Sequence, residues 1–214
     1  MEQDHTLGRH LPLTPAAAPL SGSLTPAQAA PQRLVGDLVI WLLVLAELLT
    51  FGMLFITFAV SRIREHAVFA AGQATLDLSR GAVNTVLLVS ASWCVANAVQ
   101  TVRANDAKKG ARWLLGALAC GCGFLVLKSV EYLHKWQEGI DVAENSFYLL
   151  YVMLTGFHFL HATVGCIIFA VLWGPTRRGA YGPDKCHALE TGAVFWHMVD
   201  LLWMVLFPLV YVLR

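Results

Sequence analysis

The apolar stretch from Glu190 to Phe207, ETGAVFWHMVDLLWMVLF, contains three ionisable residues that could do chemistry: Glu190, His197 and Asp200. Such groups are expensive inside a bilayer unless they are paired or face a protein interior. On a helix, Glu190 and His197 lie about 20° apart and Asp200 about 60° from His197, so the three share one side. The opposite side carries Trp196, Val199, Leu202, Trp203 and Leu206. The stretch predicts a membrane-spanning helix with one polar side and one side for lipid or packing.

Two further apolar stretches place polar residues at a similar depth. At about 1.5 Å per residue, Glu47 lies about 14 Å, Asp200 about 15 Å and His161 about 18 Å from the ends of their stretches that meet the same side of the membrane. His158 and His161 are spaced i, i+3 and therefore face the same way. We predict a cluster of Glu47, His158, His161, His197 and Asp200 between the first, fourth and fifth apolar stretches.

Three roles are open to this cluster. Its histidines and carboxylates could hydrogen-bond one another and hold the helices in register. A buried Glu47 without a basic neighbour in its own helix could instead exchange protons. A third role is a haem held by His197 and a facing histidine, although a second such pair and an attachment motif are both missing from the sequence.

Polar residues elsewhere in the apolar stretches have simpler interpretations. Glu131 and Lys128 are spaced i, i+3, which predicts an ion pair at the membrane interface with the lysine extending towards the headgroups. Asn84 and Asn97 are candidates for hydrogen bonds between helices. The third stretch has small residues four apart, Ala117 with Gly121 and Ala119 with Gly123, which predicts a central, closely packed helix.

The elements that must position these residues are membrane helices. The sequence is 57% hydrophobic and 14% charged, with a mean hydropathy of +0.60, which excludes an ordinary soluble domain. Its net charge of +1 argues against a nucleic-acid partner. Five stretches meet the requirement of about 20 apolar residues per crossing. They are Leu38 to Val60, Ala82 to Val102, Trp113 to Leu133, Phe147 to Trp173 and Glu190 to Leu213.

The predicted fold is an all-α bundle of five transmembrane helices over residues 38–214, preceded by a flexible Pro- and Ala-rich tail over residues 1–37. Basic residues set the expected orientation, because they concentrate on the cytoplasmic side of membrane proteins. The tail and the second and fourth loops hold more of them than the opposite side. We therefore expect a cytoplasmic N-terminus and a periplasmic C-terminus.

Five motifs in this order resemble subunit III of the haem-copper oxidases. The first is the glutamate-bearing helix WLLVLAELLTFGMLFITF, with Glu47 in the characteristic place. NTVLLVSASW, beginning at Asn84, is similar to an N-T-x-x-L-L-x-S-S run, and KSVEY is similar to Q-x-x-E-Y with Lys128 at the glutamine. TGFHFLHATVG resembles T-G-x-H-x-x-H-x-x-x-G, and the Glu190 stretch resembles E-x-x-x-x-Y-W-H-F-V-D-x-x-W.

The resemblance implies a non-catalytic subunit of a respiratory complex in the bacterial inner membrane, without haem or metal of its own. It implies a partner catalytic subunit that holds haem, with copper or non-haem iron, and a bound phospholipid. It also implies support of proton uptake, with Glu47 as the family's buried carboxyl. The remaining motif residues are expected to be structural or lipid-associated; they include Asn84, Glu131, Glu190, Trp196 and Trp203.

The short five-helix form resembles subunits of bacterial quinol oxidases and the accessory protein of nitric oxide reductase, so the complex could reduce oxygen or nitric oxide. Two other classes of function stay open. A small transporter or channel would need a polar path open to both sides of the membrane, and a membrane cytochrome would need haem ligands within this chain.

Overall fold

The computed structural model describes residues 38–137, 145–183 and 185–213, and all regular structure within them is helical. The all-α prediction is thereby confirmed, whereas the predicted tail over residues 1–37 lies outside the described part of the chain. The helices are α1 (Leu38–Arg64), α2 (His66–Ala74), α3 (Leu78–Arg103), α4 (Ala107–Gln137), α5 (Ser146–Arg177) and α6 (His187–Phe207), followed by a π-helical turn at Pro208–Val212.

Five of these helices are long and apolar enough to cross a membrane, as predicted. They are α1, α3, α4, α5, and α6 together with the π-helical turn. Their alternating direction gives the bundle two ends, which we call the Arg103 end, where α3 finishes, and the Gln137 end, where α4 finishes. The predicted orientation, with the Arg103 end in the cytoplasm, stays a prediction.

A short helix occupies the segment that we expected to be a loop between the first two spans. Phe69 of α2 is fully buried and packs edge-to-face against Phe58 of α1 and Phe147 of α5, with ring centroids 5.2 and 5.5 Å apart. Gln73 of α2 donates a hydrogen bond to the carbonyl of Val210, 3.0 Å away. Because carbonyls at a helix end lack partners within the helix, α2 covers the end of the last span.

The small residues of α4 explain its contact with α5 and α6. A Cβ atom added to Gly121 would lie 2.7 Å from Cys166 and 2.9 Å from the Trp196 ring. A Cβ atom added to Gly165 of α5 would lie 2.6 Å from the Trp196 ring. The two glycines therefore make room for a fully buried indole.

The predicted close packing of the third span is confirmed, because α4 makes its most extensive contacts with α3 and α5, although the last span is the more enclosed, with 50% of its apolar window buried compared with 28% in α4. The apolar side predicted for α6 is confirmed, because its five residues are all buried: Trp196, Val199, Leu202, Trp203 and Leu206.

Candidate functional site

The structure joins only two members of the predicted cluster, Glu47 and His161. Glu47 Oε2 of α1 lies 3.1 Å from His161 Nε2 of α5. The other ring nitrogen, His161 Nδ1, lies 2.7 Å from the carbonyl oxygen of Phe157 in the preceding turn. Both imidazole nitrogens are therefore engaged, and His161 is held in one orientation between a backbone carbonyl and a carboxylate.

His158, one turn away, lies apart from that pair. It is fully buried, with its ring 5.6 Å from Phe124 and 5.0 Å from Trp203 between centroids. Neither ring nitrogen has a hydrogen-bond partner within the described residues. In this structure, His158 therefore packs as an aromatic ring between α4 and α6.

His197 and Asp200 also lie apart from the pair. His197 is exposed on the outward side of α6, and Asp200, one turn later, is partly exposed beside Ser92 of α3. Asp200 Oδ1 and Ser92 Oγ are both buried between α6 and α3. The prediction of one cluster is therefore wrong, because α6 turns His197 away from α5.

The described side chains are poorly arranged to bind a metal ion or a haem. Within residues 38–137, 145–183 and 185–213, His, Cys, Asp and Glu side chains form no group of three suited to a metal ion. For a bis-histidine site, His161 has both nitrogens engaged, and His197 faces outward. The arrangement therefore supports an ion pair between Glu47 and His161.

A second acid–base pair, Lys128 with Glu131 in α4, is the centre of a buried network near the Gln137 end. Lys128 Nζ donates to Glu131 Oε1 at 3.0 Å, to the Tyr151 hydroxyl at 2.9 Å and to the Tyr211 hydroxyl at 2.7 Å. The Tyr211 hydroxyl lies 2.8 Å from Glu131 Oε1, and the Tyr151 hydroxyl also donates to that oxygen. The ammonium and one carboxylate oxygen are thus fully coordinated by side chains of α4, α5 and the π-helical turn.

The predicted Lys128–Glu131 ion pair is confirmed, but the prediction that the lysine extends outwards to the headgroups is wrong. The Lys128 side chain is 0% exposed. The predicted span ended at Leu133, whereas α4 continues to Gln137. The tyrosine partners were missed because they come from distant segments, and a lysine with a carboxylate one turn away was the available signal.

A cavity of about 100 Å³ at the Gln137 end reaches this network. Glu131 Oε2 is buried and has no hydrogen-bond partner within the described residues. The cavity is large enough for water, and Glu131 is one of the residues that line it. Its polar lining consists of Thr75, Asp77, Arg80, Glu131, His134 and Lys135.

Glu190 of α6 lies at the Arg103 end, where it forms an ion pair with Arg103 of α3. Arg103 Nε and Nη2 donate to Glu190 Oε1 at 2.9 and 2.7 Å, and Cys186 Sγ donates to the same oxygen at 2.7 Å. Burial and the hydrogen bond to Glu190 raise the pKa of the Cys186 thiol. The thiol therefore stays protonated and serves as a donor at the start of α6.

The remaining predicted residues pack within the bundle. Trp203 Nε1 donates to Thr85 Oγ1 of α3 at 2.9 Å. Asn97 donates to the Trp93 carbonyl of its own helix at 2.8 Å, so the expected bond between helices is not formed there. The amide group of Asn84 is buried with no partner within the described residues.

Comparison with known proteins decides the family. The family model described as Cytochrome c oxidase subunit III matches residues 33–214. The chain belongs to the cytochrome c oxidase subunit III family.

Similar members of this subunit III family come from several bacteria. The chain is 31% identical to "Cytochrome c oxidase subunit 3" of Synechocystis sp. over 204 residues, which cover 94% of this chain and 86% of the relative. It is 30% identical to "Cytochrome c oxidase subunit 3" of Thermostichus vulcanus over 85% of this chain and 87% of the relative. A "Probable cytochrome c oxidase subunit 3" of Nocardia farcinica is 28% identical over 82% and 86% of the two chains.

Proposed function

We propose that this chain is a non-catalytic accessory subunit of a respiratory haem-copper-type oxidase in a bacterial inner membrane. The family match over residues 33–214 carries this proposal. The chain would pack against the catalytic subunit and stabilise it, and haem and copper would belong to that partner. Since the relatives named above are cytochrome c oxidase subunits, we favour oxygen reduction over nitric oxide reduction.

The proposed role includes support of proton uptake through Glu47. Its side chain is 24% exposed and contacts an imidazole that is 12% exposed. A carboxylate and an imidazole at hydrogen-bond distance can pass a proton between them. The partial exposure of Glu47 would allow exchange with a group of the partner subunit or with water.

Phospholipid binding would use an apolar hollow of about 210 Å³ between α4 and α5 near the Gln137 end. Tyrosine, tryptophan and lysine side chains at such a depth suit the boundary between acyl chains and headgroups. Replacing Gly156, which lines the hollow, by leucine should lower the phospholipid retained in native mass spectra. Gly174→Leu is the matched control, since a Cβ at either glycine has no neighbour within 4 Å.

Purification of the intact complex tests the subunit assignment. An affinity tag on this chain, with extraction in mild detergent, should recover a haem-containing catalytic oxidase subunit at a fixed ratio. The absorption spectrum of the isolated chain is the control. Stoichiometric haem in that sample would contradict the proposal and favour a membrane cytochrome, and solute transport by the isolated chain in liposomes would favour a transporter.

A further inference from the structure

The outward side of α6 carries ionisable side chains near the middle of the membrane. His197 and Asp200 lie 10 and 13 residues after the start of α6 at His187, or roughly 15 and 20 Å along the helix axis. The last span continues to Val212. Asp200 therefore lies at the middle of the span, and His197 lies one turn nearer to the Arg103 end.

These groups have few partners within the chain. His197 is exposed and makes no hydrogen bond or ion pair among the described residues. Asp200, one turn later, is partly exposed, and its Oδ1 atom lies on the buried side of α6, where the side chain neighbours Ser92 of α3. An imidazole and a carboxylate facing acyl chains at this depth would be strongly unfavourable.

Other outward helix surfaces differ in chemistry. Apart from Glu47, which is paired with His161, the exposed residues at comparable depth on α1 include Leu49, Met53 and Ile56, and those on α5 include Leu160 and Val164. Hydrocarbon side chains of this kind are well solvated by lipid. The contrast identifies the α6 side as a surface that needs protein cover.

We propose that His197 and Asp200 of α6 form the centre of the surface on which this chain docks against a transmembrane helix of the catalytic oxidase subunit. This inference rests on the proposed function and adds the location of the contact. The partner helix supplies hydrogen-bonding side chains to the imidazole and to the exposed part of the carboxylate. Exposed Leu201, Met204 and Val205 provide the apolar surface around them.

Photocrosslinking in the intact complex tests the location. A benzophenone amino acid is introduced at position 197, and in a separate sample at position 164, which is also exposed but lies on α5. The first should crosslink to the catalytic subunit and the second to lipid. A crosslink from position 197 to lipid alone or to a second copy of this chain, or equal yields at both positions, would overturn the proposal.

A substitution gives an independent measurement. Asp200→Leu should make the chain dissociate from the tagged catalytic subunit about tenfold faster during detergent washing, because the carboxylate loses its partner across the interface. Val164→Ala should dissociate at the wild-type rate, and an unchanged rate for Asp200→Leu would contradict the docking surface. If the unmodified chain itself fails to co-purify, the proposed function fails; if it co-purifies but position 197 does not crosslink to the catalytic subunit, only the docking surface fails.

Discussion

The two acid–base pairs of this bundle have nearly the same separation but very different surroundings. Lys128 Nζ lies 3.0 Å from Glu131, and His161 Nε2 lies 3.1 Å from Glu47. The first pair is 0% and 7% exposed and bonds to two tyrosines, whereas the second is 12% and 24% exposed. The burial of each pair, more than the distance between its charged atoms, should decide whether breaking the pair affects stability or function.

The largest effect is expected from Glu131→Gln. The substitution leaves the fully buried Lys128 ammonium without a negative partner, which should lower the free energy of unfolding by about 3–5 kcal/mol. The measurement is the unfolding of the purified protein in mixed micelles, followed by circular dichroism.

The matched control removes both charges with Lys128→Met and Glu131→Gln together. Because no unpaired ion remains, the double variant should recover most of the lost stability. Equal stability of the Glu131→Gln variant and the wild type would show that the network is not a stabilising core.

The region towards the Arg103 end depends on packing rather than on a buried charge. Gly165→Ala should cost about 2 kcal/mol, because the added methyl group would lie 2.6 Å from the buried Trp196 ring. Gly156→Ala in the same helix is the control, since its Cβ meets nothing within 4 Å, and it should be neutral or stabilising. Thermal unfolding in detergent compares the two variants, and equal losses would contradict the packing argument.

The sequence predicted the number of spans because an apolar run of sufficient length requires no tertiary information. It missed α2, whose residues His66–Ala74 are too few to form a span and are stabilised by Phe58 and Phe147 from other helices. Span ends were also misplaced, because polar residues such as His134 and Lys135 continue α4 beyond the apolar run that defined the predicted span.

The sequence predicted the two acid–base pairs of the candidate site but not the way the helices are rotated against one another. Depth along each span correctly brought Glu47 and His161 to one level, but depth carries no information on helix rotation. The rotation of α6 is set by Trp196 and Trp203, which fill the core and leave His197 on the outside. The Lys128–Glu131 pair was predicted because two residues spaced i, i+3 on one helix are neighbours however that helix is rotated.

A smaller effect should follow from Tyr211→Phe. The hydroxyl accepts from Lys128 at 2.7 Å and lies 2.8 Å from Glu131 Oε1, so its loss should cost about 1.5 kcal/mol. Tyr148→Phe is the comparison, because that hydroxyl shares one partly buried hydrogen bond with Thr75 at 2.8 Å. Chemical unfolding of both variants measures the difference, and an equal or greater loss in Tyr148→Phe would argue that the network adds no stability of its own.

The smallest effect on stability is expected from Glu47→Gln. An amide can replace the carboxylate as a hydrogen-bond partner of His161, and the partly exposed site should limit the change to about 0.5 kcal/mol. Turnover of the assembled complex should nevertheless fall, because the amide cannot take up and release a proton. Oxygen consumption per assembled complex separates the two quantities. If turnover stays at the wild-type rate, Glu47 has a structural role only. If the stability loss is as large as that of Glu131→Gln, burial does not distinguish the two pairs.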